Sequence, residues 1–150
     1  MIRLDFKMVS LYSASNGDLY ILPRGISKKW GGAIIDLELP HFLESGYTDQ
    51  MLESDVKQVV DDWNVMEPSE ELKPSVIEKV VKVKGYVKAV KNMKYVSLEW
   101  NVEEGYTVIP TINSGKNGFD HLEDESISCG INLGAGALAQ AIRTAIALSK

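Results

Sequence analysis

Few side chains in this sequence are equipped for covalent or acid–base chemistry, and none stands at a spacing that recruits the others. The single cysteine, Cys129, lies between Ile127 and Ile131 in an apolar stretch, where a small buried hydrophobe is the ordinary role. The two histidines, His41 after Pro40 and His121 beside Asp120, have no second histidine or cysteine at metal-ligand spacing. Both are expected in loops. Asp61-Asp62 offers two adjacent carboxylates, but neighbours on a helix point about 100° apart and do not converge on one substrate. No catalytic residue, metal site or cofactor is expected.

Gly134-Ala135-Gly136-Ala137-Leu138-Ala139 fits the glycine spacing of a dinucleotide fingerprint and follows an expected strand. That chemistry also needs a second strand about 20 residues on, with an acid for the ribose. Only eleven residues follow Ala139. The glycines are expected to serve a tight turn and close helix packing.

Charge is the stronger signal. The formal net charge is −5, which argues against a nucleic-acid binder, yet its distribution is polarised. Residues 44–71 carry nine acids against Lys57 alone, and residues 72–94 carry seven lysines against Glu78. Concentrated negative charge repels itself in the folded state and is easier to explain where a basic partner is met and steered in. The candidate contact residues are therefore Asp55, Asp61, Asp62, Glu67, Glu70 and Glu71, with Asp120, Glu123, Asp124 and Glu125 as a second patch. The lysines read as a solvated face, since no arginines are interleaved to fork onto phosphates. Trp30, between Lys28-Lys29 and Gly31-Gly32, reads as a half-buried loop aromatic.

The elements that must position these groups follow from periodicity. Ile2 to Tyr12 and Asp18 to Pro23 read as strands joined at Ser15-Asn16-Gly17-Asp18, where Asn-Gly suits a type I′ hairpin turn. Residues 48–63 form the clearest helix, with Leu52, Val56, Val59, Val60 and Trp63 on one stripe. Ser75 to Glu78 resembles a capping box. The valines that follow keep helical spacing while Val81-Lys82-Val83-Lys84 alternates like a strand; a helix broken near Gly85 is expected. Lys94 to Trp100 and Gly105 to Pro110 read as a hairpin, Asn113 to Glu125 as a polar loop and Ser126 to Ile131 as a strand. Leu133, Leu138, Ile142, Ala145 and Ile146 mark an alanine-rich closing helix.

This order predicts one α+β domain over residues 1–150, an antiparallel sheet with helices packed mainly on one face. The apolar fraction of 45% is ample for a single core. No run of 18 apolar residues is present, Met1 to Lys7 lacks the apolar region of a signal peptide, and the lone cysteine suits a reducing compartment. A cytoplasmic protein without membrane contact is expected.

The C-terminal half resembles the immunity proteins of bacterial contact-dependent growth inhibition systems. The similar pattern is a short helix ending in lysines (Lys84 to Lys91), then a strand-turn-strand, Tyr95 to Trp100 and Tyr106 to Ile109, with Pro110 after it. A polar loop, a strand and a terminal helix, Leu138 to Ile146, complete it, so it covers about residues 80–150. The resemblance implies a cytoplasmic antitoxin that binds the toxin domain of a surface-delivered effector. Such toxins are commonly basic nucleases, tRNases among them, whose phosphate-binding ground the acids above would occupy. An acidic interaction module or a subunit of another complex is the alternative that the same surface serves.

Overall fold

The protein was analysed as a computed structural model, which describes residues 5–150. Among the described residues, four strands, three helices, four more strands and a closing helix follow in order: β1 (Phe6–Ser13), β2 (Leu19–Ser27), β3 (Ala33–Asp36), β4 (His41–Leu43), α1 (Asp49–Asp61), α2 (Val76–Val81), α3 (Tyr86–Ala89), β5 (Lys94–Asn101), β6 (Gly105–Asn113), β7 (Phe119–His121), β8 (Ile127–Gly130) and α4 (Ala137–Leu148). All the strands join one antiparallel sheet in the order β3-β2-β1-β5-β6-β7. The α+β architecture expected from the sequence is the one present.

The two long strands flanking the centre each hold two short ones on their outer edge. β2 pairs with β4 through Leu19–Ile21 and with β3 through Arg24–Ser27. β6 pairs with β8 through Tyr106–Val108 and with β7 through Thr111–Asn113. Splitting each edge lets the sheet curl. Asp36 of β3 and Phe119 of β7 both reach the central residue Tyr12 from opposite ends of the strand order.

Successive strand residues point to opposite faces, and β1 sorts the core accordingly. Val9 and Leu11 join Leu19, Ile21, Val96 and Leu98 beneath α1 and α4. Tyr12 joins Leu22 and Tyr95 on the other face, where α2 and α3 contribute Val76, Ile77 and nearby Val90. The two long helices thus cover one face and two short ones the other. The stripe Leu52, Val56, Val59 and Val60 is buried as its spacing requires.

Local chemistry sets the boundaries. Thr48 caps α1, its hydroxyl accepting from the Met51 N–H at 3.1 Å. Ser75 and Glu78 form the expected capping box on α2. Lys82 then turns left-handed (φ 59°), and Gly85 (φ 99°) caps α3, so the chain is helical on either side of a break at 82–85, and the alternating Val81-Lys82-Val83-Lys84 forms no strand.

Several expectations are corrected. Ile2 to Leu4 of the first expected strand lie outside the described residues. The first hairpin does turn at Asn16-Gly17, but only Gly17 has positive φ (96°). A type I′ turn needs it at both central residues; instead the loop is closed by Ala14 N–H to the Asp18 carbonyl. His41 is in β4 and His121 in β7, neither in a loop, and β7 crosses the expected polar loop 113–125. Leu133 packs on the core but precedes α4. Three-residue strands have too short a pattern to declare themselves; their partner strand forms them.

Candidate functional site

The carboxyl end of α1 carries two adjacent acids. Asp61 is its last helical residue and Asp62 its C-cap, with no basic residue in the last turn. Helix carbonyls concentrate negative charge there, so each acid opposes the helix dipole by about 0.3–1 kcal/mol. Neither carboxylate has a hydrogen-bond or ion-pair partner among the described residues. The charge of Asp61 does reach Tyr106, whose phenol is held above its ordinary range chiefly by burial and then by this neighbour.

From Asp62 the chain runs as a strap, residues 62–75, across the β2–β3 end of the sheet. Asn64, left-handed at φ 54°, donates its N–H to the Arg24 carbonyl at 2.8 Å, and its side-chain oxygen accepts from the Ile26 N–H at 2.9 Å. Glu67 accepts from the Lys28 N–H at 2.8 Å, and the Glu70 carbonyl accepts the Trp30 indole N–H at 3.0 Å. Trp30 is thereby fixed in its loop, with 45% of its surface exposed. Glu67 is a stitch in this seam, while the side chains of Glu70 and Glu71 project without partners among the described residues. Asp55 is drawn inward, half-buried, 3.8 Å from Nδ1 of His41.

The second patch is attached elsewhere. Leu122 donates its N–H to the Pro110 carbonyl, which anchors residues 120–125 to β6. Asp120 accepts from the Ser114 hydroxyl at 2.6 Å, and Glu123 lies 3.4 Å from Nδ1 of His121. Asp124 and Glu125 sit on an exposed 3-10 turn. The strap is sewn to β2 and this patch to β6, on either side of β1 and β5 in the strand order.

Two acids outside the candidate set are committed internally. Glu53 of α1 accepts from the Gly136 N–H at 3.2 Å and the Ala139 N–H at 2.9 Å. It fills the anion-binding amino end of α4, the very place a phosphate would need if Gly134–Ala139 held a nucleotide. Asp36 sits on the curled face, accepting from the hydroxyls of Ser10 at 2.6 Å and Tyr12 at 2.7 Å, with Arg24 Nε at 3.2 Å. Ser10 also bonds the Tyr95 hydroxyl at 2.8 Å. Burial first, and then the Asp36 charge, push the Tyr12 phenol well above its ordinary range. Burial likewise raises Tyr95, against the lowering pull of Arg24.

Glu99, on the same face, is also raised by burial, with His121 lowering it and Glu123 raising it. The sequence did hold a signal for the Arg24–Asp36 pair: opposite charges at the ends of two short apolar runs. Only the register, Arg24 opposite Asp36, makes it a contact.

Cys129 is half-buried against the main core, and burial raises its thiol. His41 and His121 attach to β2 and β6 respectively. Among the described residues no group of three His, Cys, Asp or Glu side chains could hold a metal ion, and no helix is long and apolar enough to cross a membrane.

No protein-family model matches the chain, and no curated protein matches it in sequence. Among solved structures the chain is similar to a protein of unknown function from Neisseria meningitidis, with a TM-score of 0.76 at 11% sequence identity, over 100% of this chain and 99% of that one. The fold is thus one that occurs whole in another protein.

Proposed function

We propose that this protein is an immunity protein: a cytoplasmic antitoxin that binds the toxin domain of a contact-dependent growth inhibition effector and blocks it by occupancy. The toxin domain is basic, a nuclease such as a tRNase, and the acids at the end of α1 stand in for its nucleic-acid phosphates. One observation carries the reading. Asp61 and Asp62 sit, unpaired among the described residues, at the end of a helix whose own dipole opposes them. An arrangement unfavourable in the free protein is favourable against a positively charged surface, where complementary potentials speed encounter and fix orientation. Resemblance over residues 80–150 supplies the class of partner. The reading assigns no catalytic residue, cofactor, nucleic-acid contact or membrane contact.

The test is first to ask whether an adjacent reading frame encodes a large secreted protein, and then to induce the C-terminal domain of that protein in a growing cell, with and without this chain. Growth arrest relieved by co-expression, with a one-to-one complex recovered, supports the proposal. An arrest that continues unchanged in the presence of folded protein sinks it.

A further inference from the structure

The lysine-rich stretch is not a plain solvated face. α2, α3 and the end of the strap enclose a groove of about 1200 Å³ with an aliphatic lining that includes Leu72, Val83 and Val87. Lys73, Lys79, Lys82, Lys84, Lys88 and Lys116 border it. Its one acid, Glu78, is committed internally, accepting from the Ser75 N–H and hydroxyl and from the Gly85 N–H. Of the six lysines only Lys79 has an ion pair, with Glu38 at 3.5 Å. Lys73 acts electrostatically on Glu78, while Lys82, Lys84, Lys88 and Lys116 border the apolar groove with no ion pair among the described residues.

The missing counter-charge lies next along the chain. Glu70 and Glu71, whose side chains are unpaired among the described residues, directly precede Leu72 and Lys73. Apolar exposure is present here too: Leu72 and Val87 of the lining show 44% and 48% of their surface, and Trp30, whose indole bonds the Glu70 carbonyl, shows 45%. Two adjoining patches of opposite charge with exposed apolar side chains between them have a particular symmetry. A two-fold axis near Leu72 brings each patch onto its opposite in a second copy, and both contacts form at once.

We propose that the groove receives the strap of a second copy of this chain, in a closed two-fold dimer. Glu70 and Glu71 of each copy meet Lys84 and Lys88 of the other around a centre of Leu72 and Val87. Burying the apolar centre supplies the affinity, and the charges set the register. Nucleic acid is the poorer occupant, because Tyr86 is the one aromatic ring in the lining, arginine is absent from it, and the net charge is −5. This inference does not depend on the toxin reading, and its variants leave Asp61 and Asp62 untouched.

The experiment is sedimentation equilibrium of the full chain at low and high salt, with two charge-reversed variants, E70K/E71K and K84E/K88E. Circular dichroism confirms that each is folded. The expected result is a dimer for the natural sequence and a dissociation constant raised ten-fold or more for each variant alone, since like charges then face each other. Mixing the two variants in equal amounts restores the dimer, because reversed strap then meets reversed groove. L72E/V87E, which changes only exposed side chains, is monomeric as well. A natural chain that stays monomeric at low salt, variants that remain dimeric, or a mixture that fails to pair overturns the proposal. A monomer that binds a single-stranded RNA oligonucleotide, and loses it in K84E/K88E, also overturns it and gives the groove to a polyanion.

Discussion

Glu53 and Ala139 tie the two long helices together: the α1 carboxylate accepts the Ala139 N–H at 2.9 Å and that of Gly136 at 3.2 Å. α4 begins after a left-handed glycine (φ 83°) and has no side-chain cap of its own, so Glu53 acts as its cap from another helix. One turn earlier in α1, Arg143 bonds Asp49 at 2.7 Å and stacks over Tyr47 at 4.7 Å. Capping residues typically contribute about 1 kcal/mol, and a carboxylate at a helix amino end adds about 0.3–1 kcal/mol. Glu53→Ala is therefore expected to lower the unfolding free energy by about 1–2 kcal/mol in urea denaturation. Glu53→Gln should recover part of this. Equal stability of all three proteins would show that α4 needs no cap.

The Asp36 cluster makes a larger prediction. Asp36→Ala leaves Arg24, whose side chain is 21% exposed, without its counter-charge, along with two hydroxyls without their acceptor. Breaking a buried pair from one side costs about 3–5 kcal/mol, and partial exposure brings the expectation to about 2–4 kcal/mol. Tyr12→Phe removes one bond to the carboxylate and should cost about 1–2 kcal/mol. Denaturant titration of both variants checks the ranking, and Tyr12→Phe costing more than Asp36→Ala would contradict it.

The tyrosines set an alkaline limit. Tyr12 and Tyr95 are held above their ordinary pKa by burial, so between the unfolded and folded values the native state binds more protons than the unfolded one. Their contribution to stability is complete below about pH 10, the unfolded value, and is lost as pH rises through the folded values. Glu78 works in the opposite direction. The Ser75 N–H, and then that of Gly85, lower its pKa, so its contribution is present above the unfolded carboxyl range and is lost as pH falls through the folded value. Tyrosinate absorbance should show these two phenols ionising only together with loss of near-ultraviolet dichroism. Full tyrosine ionisation in a folded chain would refute this.

How much was legible in the sequence depended on whether the signal was local. The α1 stripe, the Ser75–Glu78 capping box and the Gly85 break are written in consecutive residues, and all appear at their places. Glu53 looks like a solvent-facing acid in that register, and only the docking of α4 makes it a cap. Asp36 looks like the end of a short strand until the sheet curls and brings Ser10, Tyr12 and Arg24 to it. The acids of 44–71 form a charge run in sequence, yet Asp55 turns toward His41 and Glu67 toward Lys28, while Asp61, Asp62, Glu70 and Glu71 stay outward. The lysines read as a solvated face because the groove between α2 and α3 exists only once the strap closes its rim.

The central claim is that the acidic end of α1 meets a basic partner, and association kinetics test it most directly. Stopped-flow binding to the cognate toxin domain is measured for the natural chain and for Asp61→Lys with Asp62→Lys, across a salt series. Both positions lie off the buried stripe, so the fold should survive with a change of about 0.5 kcal/mol or less. The expected association rate falls roughly ten-fold or more at low salt, with little change in dissociation. The difference should shrink as screening shortens below about 8–10 Å. An association rate that is the same for both proteins at every salt concentration, with the doubly reversed chain still folded, would contradict the account.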